Sequence, residues 1–314
     1  MTNDRLPKGV WPVMLTAFHA DGSIDWDGVS ALVDWYIEAD IAGLFAVCLS
    51  SEMYTLTPEE RLALAAHVVK QADDRVPVVA PGTFAETADN HTEFIRRMSD
   101  TGVNAVVLMP CQLMGEDAKE SELRGALETL AEGTASVDLG LYECPAPYHR
   151  LIPTKDLKWA AETGRFIFLK ETSAQQDLLQ AKCEAVKNTR LHLYNAHSPS
   201  LLIGLKHGAA GCSNIAANLY PQLFAWLCEN YRTHAELADE LGTFLAIADP
   251  LARLEYPAGA KDYLGRIGLP ITATCRLDIP RGKNDDLSIL HQHLHQQIRA
   301  WQQKLGTVKR AGDK

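Results

Sequence analysis

Apolar residues along this chain fall into short unbroken runs, separated by longer stretches with a helical repeat. The runs are WPVMLT (residues 11–16), GLFAVCLS (43–50), VPVVAPG (76–82), NAVVLMP (104–110), VDLGLYEC (137–144), FIFLK (166–170), LHLYNA (191–196) and AAGCSN (209–214). Unbroken runs suit strands covered on both faces, as in parallel sheets. The stretches between them carry helix signals. TPEERLALAAHVVKQA offers Thr57 as N-cap, Pro58 at the first helical position and Glu60 three residues after the cap. TADNHTEFIRRMSDTG ends at Gly102, a suitable C-cap.

Eight strand and helix alternations predict an α/β protein of the (β/α)8 barrel type, which typically needs about 250 residues. A doubly wound sheet would carry GxGxxG after its first strand. This chain has AFHADGS there, and the barrel is preferred. From residue 221 the pattern turns helical. PQLFAWLCENYRTHAELADELGTFLAIADPLARLEY and NDDLSILHQHLHQQIRAWQQKLG predict long helices, the second capped by Asn284 or Asp285. The expected organisation is a barrel carrying the site in residues 1–220 and a C-terminal helical extension in residues 221–314, with VKRAGDK frayed at the end.

Composition narrows the function more than the fold. A 314-residue chain with 46% hydrophobic residues has enough material for a large core, and its net charge of −10 argues against nucleic acid or an anionic membrane as partner. The start, MTNDRLPKGV, lacks the apolar segment of a secretory signal. Seven scattered cysteines without a CxxC pair read as reduced thiols, so a cytoplasmic location is expected.

In barrels the chemistry gathers where strands run into the following helices. Lys170 ends the apolar run FIFLK. Burial disfavours its ammonium form, and the neutral amine is the species that attacks a carbonyl to form an iminium. A solvated charge, or an ion pair with Glu171, would also fit the lysine alone. Tyr142 ends the preceding strand, where a phenol relays protons or simply satisfies its hydroxyl against backbone. Ser50 and Ser51 lie at a strand-to-helix turn that suits a carboxylate or a plain cap. Gln112, Asn195, His197 and Ser213 occupy further strand ends. His291 and His295 share a helix face, but no local carboxylate or cysteine completes a metal set, and neither a metal nor a cofactor is expected.

These segments, in this order, resemble the dihydrodipicolinate synthase and N-acetylneuraminate lyase family of Schiff-base aldolases. The family's G-[TS]-T-G-E turn with its Leu-Thr-x-x-E-R run is similar to Cys48-Leu49-Ser50-Ser51-Glu52, Thr55-Leu56-Thr57 and Glu60-Arg61. Tyr-Asn-x-Pro resembles Tyr142-Glu143-Cys144-Pro145, and Lys-[ED]-[AST]-[ST] is matched by Lys170-Glu171-Thr172-Ser173. GAAGCSNIAANLYP and the late run with Lys261 and Arg276 extend the likeness over residues 8–305. The resemblance implies that Lys170 forms the Schiff base with pyruvate or a longer 2-oxo acid, that Tyr142 moves the proton, and that Ser50 with the Ser51 backbone holds the carboxylate. A homo-oligomer, dimer or tetramer, is expected.

Three departures separate the chain from the lysine-biosynthesis synthases of that family. Leu49 replaces a relay hydroxyl, Pro110-Cys111-Gln112 replaces Pro-Tyr-Tyr, and Pro147 stands where an arginine would hold the aldehyde's carboxylate, with His149 and Arg150 just downstream. They imply aldol cleavage, or dehydration of a deoxy-keto sugar acid, acting on a neutral or hydroxylated 2-oxo acid contacted by Gln112, Asn195 and His197. A non-catalytic barrel that binds a 2-oxo acid is the alternative outside enzymes. A metal-dependent aldolase has no ligand set to support it.

Overall fold

The computed structural model describes residues 6–84, 87–280, 282 and 286–307. Eight parallel strands follow one another: β1 (Gly9–Val10), β2 (Leu44–Phe45), β3 (Val78–Pro81), β4 (Ala105–Leu108), β5 (Leu139–Tyr142), β6 (Phe166–Glu171), β7 (His192–Asn195) and β8 (Gly211–Cys212). Strands β2 to β8 each pair with their sequence neighbours, and β1 pairs with β8. A parallel bridge from Val13 to Phe45, with Met14 N donating to Phe45 O at 3.0 Å, joins the first strand to the second and closes the barrel. The run at residues 11–16 is therefore paired only in part, because the chain bends there to reach both neighbours. At the β1–β8 seam the backbones approach so closely that a Cβ on Gly211 would lie 1.8 Å from the Gly9 carbonyl oxygen.

Among the described residues, twelve helices surround and extend the barrel: α1 (Trp26–Ile37), α2 (Pro58–Ala72), α3 (Ala88–Ser99), α4 (Pro110–Leu113), α5 (Glu122–Gly133), α6 (Thr154–Glu162), α7 (Gln176–Ala185), α8 (Leu201–Lys206), α9 (Pro221–Asn230), α10 (Ala235–Ala252), α11 (Ala258–Arg266) and α12 (Asp286–Gly306). Helix α2 starts at the expected capping box: Glu60 N donates to the Thr57 hydroxyl, and Thr57 N donates to the Glu60 carboxylate. Helix α9 packs against β1 and β8, so the ring of barrel helices takes in residues beyond 220. Residues 231–234 interrupt the long helical stretch expected after β8. The expected α12 cap, Asn284 or Asp285, and the tail VKRAGDK lie outside the described residues.

Alternate residues of a strand share a face, so Phe168 and Lys170 of β6 both point into the barrel. Phe168 packs on Trp11, Phe45 and Tyr194, with ring centroids 5.3, 5.6 and 4.9 Å away. This aromatic layer fills the interior directly beneath the lysine and keeps water from its stem.

Candidate active site

Lys170 and Tyr142 are register partners on adjacent strands at the C-terminal mouth of the barrel. The Lys170 amine lies 4.4 Å from the centre of the Tyr142 ring and 5.7 Å from that of Phe45. Only 5% of Lys170 is exposed. Burial brings its pKa down to about 8; the Cys48 and Cys144 thiols oppose that shift and the Arg253 charge adds to it. The fall from about 10.5 to about 8 raises the neutral fraction at pH 7 by roughly 300-fold. The same burial, aided by the neighbouring thiols, pushes the Tyr142 phenol well above its usual value and keeps it protonated.

A cavity of about 560 Å³ opens over this pair. Of the residues singled out from the sequence, Lys170, Tyr142, Ser50, His197 and Ser213 line it. The Ser213 hydroxyl is buried with no hydrogen-bond partner among the described residues, which leaves it for a ligand. Gln112, Ser51 and Asn195 are placed elsewhere. Helix α4 turns Gln112 outward, where its amide donates to the Tyr54 hydroxyl at 3.0 Å. Ser51 uses its hydroxyl on Met14 O at 2.6 Å and its N–H on Cys48 O at 2.9 Å. Asn195 is fully buried, donating to Ser200 Oγ and accepting from His197 N. It shapes the loop that presents His197.

The two residues downstream of Pro147 part company. Arg150 donates to the carbonyls of Gly115, Glu116 and Ala118 and does not line the cavity. His149 lines it, with Nε2 2.8 Å from the Thr172 hydroxyl. Beneath them, the fully buried Lys182 amine donates to Glu143 at 2.5 Å and to Glu171 at 3.1 Å. Glu143 also accepts the N–H groups of Ile152 and Thr172, so one carboxylate ties the loop after β5 to the end of β6. Burial raises the Glu143 pKa, an effect the Lys182 charge opposes.

Polar groups stand near the lysine where sequence reasoning saw none. The Tyr256 phenol and Ser50 both line the cavity, close enough for Ser50 to act on the phenol. The phenol also accepts from Asn218 Nδ2 at 2.9 Å, and Asn218 in turn accepts from the Tyr36 hydroxyl at 2.6 Å. On the other side, the Cys111 and Cys144 thiols and the Tyr54 hydroxyl all approach the Ala146 carbonyl oxygen, at 3.2, 3.3 and 2.7 Å. One carbonyl has two lone pairs, so the three donors cannot all be satisfied there. The Cys144 thiol neighbours Cys111 and Tyr142, and its interaction with the Cys111 thiol lowers its pKa to about 7 against the effect of burial.

Asp249, Arg253, Tyr256 and Leu277 bring the C-terminal region to the cavity wall. Their one sequence signal is the Asp249 and Arg253 pair, four residues apart around Pro250, directly after the apolar run at residues 244–248. Lys261 and Arg276, by contrast, are structural. Lys261 is buried against Glu52 at 2.7 Å, and Arg276 makes two bonds to Glu60 at 2.7 and 2.6 Å. His291 and His295 face Tyr263 instead of a metal set, and among the described residues no three His, Cys, Asp or Glu side chains cluster as metal ligands would.

The sequence and the fold have known relatives. A sequence model of the Dihydrodipicolinate synthetase family matches residues 6–297, and the chain belongs to that family. Its members are lyases. A 4-hydroxy-tetrahydrodipicolinate synthase from Chelativorans sp. is 27% identical over 266 residues, 83% of this chain and 88% of its own. The fold is shared with a prophage protein of the dihydrodipicolinic acid synthase family from E. coli K12 in complex with pyruvate. The TM-score is 0.81 at 23% identity, covering 93% of this chain and 98% of that one. A catalytic lysine mutant of the sialic acid aldolase from Ruminococcus gnavus aligns at a TM-score of 0.82 and 18% identity, covering 95% and 97%. Among the described residues no helix is long and apolar enough to cross a membrane.

Proposed function

We propose that the protein is a class I lyase that binds pyruvate or a longer 2-oxo acid as an iminium on Lys170. The observation that carries this reading is the amine itself: buried at the cavity floor, lowered to about 8, and set against the Tyr142 ring. The neutral amine adds to the ketone carbon, whose oxygen leaves as water. In aldol cleavage of a 4-hydroxy-2-oxo acid, the C3–C4 bond breaks and its electron pair moves to the iminium nitrogen as an enamine. The C4 hydroxyl proton passes to Tyr142 as Tyr142 gives its own proton to solvent, and an aldehyde is released. A proton then returns to C3, and water hydrolyses the iminium to free the product and the amine. Dehydration of a deoxy-keto sugar acid uses the same iminium: C3 loses a proton and C4 loses its hydroxyl as water.

Ser50 holds the carboxylate beside the iminium, with Tyr256 behind it. His197 and Ser213 face the remainder of the substrate. The barrel in residues 1–220 supplies the reacting groups, and the C-terminal helical region that follows contributes Asp249, Arg253, Tyr256 and Leu277 to the cavity wall. The reaction needs neither metal nor cofactor, and the working form is a cytoplasmic homo-oligomer, dimer or tetramer.

The curated relatives carry the name of the lysine-biosynthesis synthase, yet three features favour another second substrate. Leu49 supplies no hydroxyl, Gln112 is engaged with Tyr54, and Arg150 is held on the loop at residues 115–118. Losing a charge-assisted contact to the aldehyde's carboxylate on the side of the loop after β5 costs about 1.5–3 kcal/mol of binding. Condensation of pyruvate with aspartate semialdehyde is therefore expected to fall well below the roughly 10⁴ M⁻¹s⁻¹ of ordinary enzymes in kcat/KM. A coupled assay decides it, and efficient condensation would make the protein a synthase of the usual kind.

A further inference from the structure

Arg253 follows the last turn of α10, and its Nε donates to Asp249 Oδ2 at 2.7 Å. Asp249 is buried and is itself held by the barrel mouth. Its Oδ1 accepts from the Ser198 hydroxyl at 2.5 Å, and Ser198 accepts from Asn214 Nδ2 at 3.0 Å. Ser198 follows β7 and Asn214 follows β8, so the α10 end is fastened to two loops of the catalytic face. The guanidinium is thereby fixed by one edge, through Nε. Its Nη1 and Nη2 groups have no hydrogen-bond partner among the described residues, and the residue lines the same cavity as Lys170. Arg253 is near enough for its charge to act on Lys170.

A guanidinium held through Nε presents its two terminal nitrogens as a fork that suits a carboxylate. The cavity of about 560 Å³ is also much larger than a three-carbon acid needs. We propose that Arg253 binds a second carboxylate at the far end of the 2-oxo acid attached to Lys170, so that the substrate is dianionic. The anion site then lies on the β7–β8 side of the mouth, away from the loop after β5 where Pro147 and Arg150 stand. This replaces the neutral far end expected from the sequence, where Arg253 reads only as part of a helix. The inference rests on the iminium reading.

The test measures reductive trapping on Lys170 by cyanoborohydride and mass spectrometry, with pyruvate as reference. The probes are 2-oxoglutarate and 2-oxoadipate, each compared with its ester at the far carboxylate. In the wild type at least one diacid is expected to half-saturate trapping at about 10- to 100-fold lower concentration than its ester, the range for one charge-assisted contact. Arg253→Gln should erase that preference and Arg253→Lys should keep part of it. The readout is the acid-to-ester ratio within each variant, so a general loss of trapping cancels. Equal saturation by acids and esters in the wild type, or a preference that survives Arg253→Gln, would overturn the assignment even where pyruvate is trapped. If neither pyruvate nor either diacid is trapped on Lys170, the iminium reading fails and this inference falls with it.

Discussion

Tyr142→Phe is expected to turn over its substrate at least about 10²-fold more slowly than the wild type, the loss typical of a positioned proton-transfer group, while still forming the Lys170 adduct. The substitution keeps the ring that packs 4.4 Å from the Lys170 amine and 5.4 Å from Phe45, and removes only the hydroxyl. Packing and amine burial persist, so iminium formation should too. The step that suffers is proton movement at the substrate oxygen and C3. Single-turnover trapping and steady-state rates on the same variant separate the two. Near-normal turnover would move the proton role to another group, with Ser50 and Tyr256, which line the same cavity, examined first.

Lys261→Met should destabilise the fold by about 3–5 kcal/mol, the range for removing one partner of a buried ion pair. Lys261 and Glu52 are both fully buried at 2.7 Å. Lys261 also donates to Thr274 O at 2.8 Å, and Glu52 accepts the N–H groups of Arg276 and Leu277 at 2.7 and 2.9 Å. The pair thus fastens the segment at residues 274–277 to the turn after β2, which carries Ser50. Those two N–H groups partly satisfy the carboxylate left behind, placing the loss toward the lower end of the range. Denaturant unfolding at an unchanged slope measures it. The double variant Lys261→Met with Glu52→Gln should recover part of the loss, because the uncompensated charge is gone. A single-variant loss below about 1 kcal/mol would show that water reaches this pair and screens it.

What the sequence reveals depends on how local the cause is. The capping box of α2 and the unbroken apolar strands are read from neighbouring residues, and they stand in the structure as expected. Lys170 and Tyr142 are legible because barrel mouths collect strand-end residues whatever the loops do. Gln112 also follows a strand closely, but one helical turn at residues 110–113 swings its amide to Tyr54. A β-strand rule cannot anticipate that turn. Ser51 is hidden for a similar reason: within a tight turn, adjacent serines point to different partners, and only Ser50 faces the cavity. Asp249, Arg253 and Tyr256 arrive from the helical region, where periodicity reports a helix but not where its end docks. Ser198 and Asn214 decide that, from 51 and 35 residues upstream of Asp249.

The claim on which everything else rests is the iminium at Lys170. The direct measurement is reduction with cyanoborohydride in the presence of pyruvate and a panel of longer 2-oxo acids, followed by intact mass and peptide mapping. The account predicts one substrate-derived mass per chain, carried by the peptide containing Lys170, formed at a rate that rises with pH through about 8. Adduct on Lys261 or Lys206 instead, or no adduct from any acid in the panel, would contradict it.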